Sequence, residues 1–80
     1  MINFYKKLHE LDISVTSRVT ADGKHVRFSW SKNTIPGGVI LSFWELENLS
    51  TGAIEMRLME AFDAWFRLFQ KIDPGANGAV

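Results

Sequence analysis

There is no cysteine among the 80 residues. That removes a disulfide framework, a thiol nucleophile and a zinc knuckle at one stroke. A surplus of charge is missing too, since nine basic residues offset nine acidic ones. Neutrality argues against a protein that wraps a nucleic-acid backbone, while leaving room for a local basic patch. It also favours association, because freely soluble monomers tend to sit further from zero net charge. No apolar run approaches the length of about 18 residues that a membrane span needs. Ile2-Asn3-Phe4-Tyr5-Lys6-Lys7 after Met1 lacks the charged-then-apolar order of a signal peptide, so the expected location is cytoplasmic.

What is present is apolar and aromatic: 46% hydrophobic, with six Phe and three Trp. A chain this short makes one domain and buries only roughly 60% of its unfolded surface, so it depends on a rich core or on association. The expected domain is 1–73, followed by a small, glycine-rich, flexible tail at 74–80.

The organising stretch runs from Gly52 to Ile72. At 100° per residue, Ile54, Leu58, Met59, Ala61, Phe62, Trp65, Phe66, Leu68, Phe69 and Ile72 fall on one arc of roughly 180°. Arg57, Glu60, Asp63, Arg67 and Lys71 fall opposite. Ser50 or Thr51 can cap its start, and Asp73-Pro74-Gly75 stops it. Packing on one sheet needs a stripe of about 100°. The surplus is the flank Met59, Phe62 and Phe66, joined by Phe43 and Trp44 from the turn before the helix. Aromatics and Met are enriched in interface cores, so this flank is a candidate homodimer or partner surface unless the N-terminal segment covers it.

Asp12 to Thr20 and His25 to Ser31 both alternate apolar with polar residues, with Asp22-Gly23 between them as a hairpin signal. A two-residue loop pairing Ala21 with Lys24 sets Val19 opposite Val26, Ser17 opposite Phe28 and Val15 opposite Trp30. The three-residue alternative would oppose Val19 to His25 and break the apolar face. Lys32 to Gly38, with Pro36-Gly37-Gly38, reads as a loop, and Val39 to Leu41 as a short third strand. Ser42 and Glu45 have capping-box spacing before one or two helical turns at Phe43 to Asn48. Ile2 to Glu10 reads as a short helix, while the Ile2/Phe4 alternation also permits a short strand. The expected fold is α+β: a three-stranded antiparallel meander packed on one long C-terminal helix, (α)βββα.

The same register opposes Arg18 to Arg27 on the outer face. Two arginines directly opposite cost stability unless they splay into water or share an anion. Arg18, Lys24, His25, Arg27 and Lys32 therefore form a candidate face for phosphates or an acidic partner. No aromatic interleaves on that face, which speaks against base stacking.

No constellation supports catalysis, a metal or a cofactor. His25 with Asp22 and nearby serines lacks a cleft. His9-Glu10-Leu11-Asp12 supplies too few ligands. Asp73 to Gly78 lacks the alternating carboxylates of a calcium loop, and no helix follows Pro36-Gly37-Gly38 to make a phosphate loop.

The order αβββα resembles that of double-stranded-RNA-binding domains. That family carries a lysine-rich start to its last helix. Here the corresponding Ser50-Thr51-Gly52-Ala53-Ile54-Glu55 has no lysine, so the resemblance covers element order alone. In style the chain is similar to small accessory and inhibitor proteins of phages and mobile elements. The expected function is that of a non-enzymatic, homodimeric interaction module whose partner is a protein or a second copy. Nucleic acid is the alternative partner, and neither a membrane nor a small-molecule substrate is expected.

Overall fold

A computed structural model describes residues 2–72. The element order is α1 (Ile2–Glu10), β1 (Val15–Val19), β2 (His25–Lys32), β3 (Ile35–Ser42), α2 (Phe43–Asn48) and α3 (Thr51–Ile72). The strands form one antiparallel sheet in the order β1-β2-β3, and α3 packs on it, giving the expected α+β architecture. The expected tail at 74–80 and the helix stop at Asp73 lie outside the described residues.

α1 buries Phe4 and Leu8, spaced one turn apart, and exposes Lys6, Lys7 and Glu10. Its end is a Schellman motif. Ile13 N–H donates to Leu8 O at 2.8 Å, Asp12 N–H donates to His9 O at 3.0 Å, and Asp12 takes the left-handed conformation at φ 59°. Leu8 and Ile13, the two ends of that motif, are both buried. The strand expected from Asp12 therefore begins only at Val15, because the first residues of the alternating run close the helix.

The first hairpin keeps the expected register: Val15 opposes Trp30, Ser17 opposes Phe28, Arg18 opposes Arg27 and Val19 opposes Val26. Its turn differs. Gly23 N–H donates to Thr20 O at 2.9 Å, Thr20 N–H donates to His25 O at 2.9 Å, and Gly23 alone in the loop has positive φ, at 71°. A two-residue type I′ turn would need positive φ at Asp22 as well. Asp22 instead accepts from the Lys24 N–H at 2.9 Å, within a four-residue connection.

The second hairpin corrects the expected loop at Lys32 to Gly38. β3 starts at Ile35, and only Asn33 and Thr34 connect it to β2. Both take positive φ, 51° and 66°, as a type I′ turn requires. Pro36, Gly37 and Gly38 lie inside an edge strand, where proline is tolerated. The glycines answer to close packing. Gly37 opposes Trp30, and a Cβ there would come within 2.3 Å of the Trp30 Nε1 and 2.6 Å of the Trp65 Cδ1. A Cβ on Gly38 would sit 2.8 Å from the Phe28 carbonyl oxygen.

The core is one cluster. Phe28, Trp30 and Leu41 from the sheet meet Ile54, Leu58, Phe62, Trp65 and Phe69 from α3, with Phe4 and Leu8 from α1 and Ile13 closing it. Trp30 and Trp65 cross edge to face at 86°, centroids 6.2 Å apart. Phe4 meets Trp30 at 5.8 Å, while Trp65 stacks on Phe69 at 5.0 Å. Both indole N–H groups in this cluster are buried without an acceptor among the described residues.

Two predictions follow from the glycine and the turn. Gly37→Ala should destabilise the protein by about 1–3 kcal/mol, the cost of overpacking a filled core, read by denaturant unfolding. Thr34→Gly should stabilise it, by about 1 kcal/mol, because a β-branched residue at positive φ is strained where glycine is not; an unchanged or lower midpoint would mean that the turn holds Thr34 by other contacts.

Candidate functional site: the outer face of the sheet

Alternation sends the large sheet side chains inward and leaves small polar residues outside. The outer positions are Thr16 and Arg18 on β1, His25, Arg27, Ser29 and Ser31 on β2, and Pro36, Gly38, Ile40 and Ser42 on β3. None is acidic. Arg18 and Arg27 stand directly opposite, and Thr16, Thr20, Ala21 and Ser29 complete a recess of about 520 Å³ around them. Among the described residues neither arginine has a carboxylate partner, whereas His25 contacts Asp22 and Arg57 pairs with Glu45.

The other expected cations separate. His25 lies on this face, but its Nδ1 is 3.0 Å from Asp22 Oδ2. Lys24 is exposed in the hairpin loop, and its carbonyl accepts the Phe43 N–H at 2.9 Å. Lys32 does not belong to the face. It shares the inward parity of Phe28 and Trp30, and its Nζ donates to Leu11 O at 2.9 Å, placing a cation at the end of α1. That parity is readable in the sequence and excludes Lys32 from the outer set.

The Asp22 carboxyl is held below its ordinary value, first by the Thr20 hydroxyl and then by the Lys24 N–H, with His25 adding to both. Glu45 is also lowered, first by the Ser42 N–H and then by Arg57. Ser42 N–H donates to Glu45 Oε1 at 3.0 Å, and Glu45 N–H donates back to Ser42 Oγ at 3.0 Å, completing the expected capping box. Ser50 caps α3 in turn, its Oγ accepting from Ala53 N–H at 3.1 Å.

This cap bears on the His25–Asp22 pair. Ser42 opposes His25 across the strands, so the three residue types of a hydrolytic triad lie together. The Ser42 hydroxyl, however, donates to Glu45 Oε1 at 3.2 Å, and no Ser42–His25 hydrogen bond joins them among the described residues. The arrangement is a helix cap beside a loop ion pair, on an open surface. No group of His and acidic side chains able to hold a metal occurs among the described residues, and no helix is long and apolar enough to cross a membrane.

The expected apolar flank is largely closed within the chain. Phe62 is fully buried at 0% exposure, and Met59 and Phe66 are half-buried against the core, Phe66 stacking on Phe62 at 5.6 Å. The wide arc is used twice: α3 packs on β3 with one part and on α1 with another. The exposed apolar residues of α3 are Met56, Leu68 and Ile72 instead. Phe43 and Trp44 do stay at the surface, Trp44 at 66% exposure. Together with Gly23, Lys24, His25 and Ser42 they line a second recess, of about 420 Å³, at the hairpin end of the sheet.

Comparison of the chain with protein-family models, with curated proteins and with solved structures finds no match.

Proposed function

We propose that the protein is a non-enzymatic binding module that acts by laying the outer face of its sheet on an anionic macromolecule. The Arg18–Arg27 pair carries the reading. Opposed guanidinium groups repel each other in the free protein, and an anion between them converts that cost into affinity. The flanking hydroxyls of Thr16 and Ser29 supply hydrogen-bond donors to the same anion.

Pyrophosphate at low millimolar concentration should raise the melting temperature of the wild-type protein and leave Arg18→Ala/Arg27→Ala unchanged. Without anion, the double variant should be slightly more stable than wild type. No response of the wild type, or a marked loss of stability in the variant, would remove the reading, since the arginines would then have structural partners.

A homodimer is compatible with this function. What favours it is apolar exposure along α3, with Leu68 at 58% and Ile72 at 65%. Light scattering after size exclusion should then give twice the 9.1 kDa chain mass. A 9.1 kDa species that persists at high concentration would refute the dimer and leave the binding face untouched.

A further inference from the structure

The outer face has an aromatic neighbour that strand alternation does not supply. β3 ends at Ser42, and the capping box turns the chain at once into α2, which sets Phe43 and Trp44 beside the first hairpin. The Phe43 N–H donates to the Lys24 carbonyl, so this corner is tied to the hairpin by backbone. The row Thr20, His25, Ser42 lies between the recess at Trp44 and the recess at the arginines. It stands two residues along the strand from the arginine row, about 7 Å at the rise of a β-strand. An exposed indole and two guanidinium groups with no carboxylate partner among the described residues therefore lie on either side of one row of the sheet.

We propose that this surface binds single-stranded nucleic acid, with Trp44 as a stacking platform for a base and Arg18 and Arg27 holding the adjoining phosphates. The inference rests on the anion-binding reading above and adds the partner's class to it. Base stacking on an exposed aromatic next to a cationic track is how sequence-tolerant single-strand binding is built. Charge complementarity points the same way. The outer strand positions carry no acid, and the two acids nearest the corner are already engaged, Asp22 by His25 and Lys24, Glu45 by Ser42 and Arg57. Glu47, exposed one turn after Trp44 in α2, adds one negative charge beside the stacking surface and lowers affinity for phosphate there. A duplex fits less well, because its bases are already stacked on one another and offer Trp44 no free face.

The test uses the full chain and a labelled single-stranded oligothymidylate of about 10 nucleotides, within the usual range of single-strand sites. Binding should weaken steeply with salt. Trp44→Ala, at an exposed position that folding does not need, should lower affinity roughly ten-fold or more, while leaving the response to pyrophosphate intact. Arg18→Ala/Arg27→Ala should abolish both. The same length of duplex should bind more weakly than the single strand. Equal affinity of Trp44→Ala and wild type, or a duplex bound as tightly, overturns the stacking inference while the anion reading stands. Polyglutamate of equal charge competing as well as the oligonucleotide also overturns it, and assigns the face to an acidic protein. Loss of the pyrophosphate response in wild type would instead strike the reading beneath it.

Discussion

Two indoles meet over a glycine at the centre of this molecule, and the packing of the long helix on the sheet depends on that contact. Trp30 comes from β2, Trp65 from α3, and the vacant Cβ position at Gly37 from β3. One contact thus joins a strand, its neighbour and the long helix, and Phe4 brings α1 onto the same ring. Both indole N–H groups are buried there without an acceptor among the described residues, and burying an unpaired donor opposes folding. The area and edge-to-face geometry of stacked aromatics oppose that cost, and a smaller set of side chains would not. The helix is consequently fixed in height and rotation on the sheet.

The outer face is a by-product of this arrangement before it is anything else. With most of the bulky residues turned inward, what remains outside is hydroxyls, a glycine, a proline, one isoleucine, one histidine and two arginines. The cover on the inner side is uneven. α3 lies over β3 and α1 sits near Trp30, so Val19 at the far end of β1 stays 59% exposed. At the hairpin end β1 is thus lightly covered, while Leu41 on β3 stays fully buried. That end is also where the His25–Asp22 contact, the helix cap and Trp44 come together.

Much of this was legible. Asp22-Gly23 with two alternating runs sufficed for the register, because only one register kept the apolar set on one side. Ser42 and Glu45 announced α2 by spacing alone. Other features escaped, among them the second turn and the glycines of β3. Asn33-Thr34 gave no turn signal, since a β-branched residue is a poor choice for positive φ. Pro36-Gly37-Gly38 looked like punctuation, because the need for glycine there arises from indoles distant in sequence. The arc of α3 is wide because it meets both β3 and α1, and the sequence left open whether the N-terminal segment or another molecule met the flank. The opposition of Arg18 and Arg27 was readable, but the place of Trp44 beside His25 and Ser42 was not, since it comes from a helix and alternation along the strands says nothing about it.

Pro36 has a consequence beyond the fold. β3 is eight residues long and forms an open edge, the kind of strand on which another chain can grow. Proline offers no N–H to an incoming strand, and the adjoining Gly37 and Gly38 give it no side chains to interlock with. The other edge, β1, is only five residues long and ends beside an arginine. A chain with no net charge has little electrostatic protection against fibrillar assembly, so that protection falls to the backbone of its edge strands.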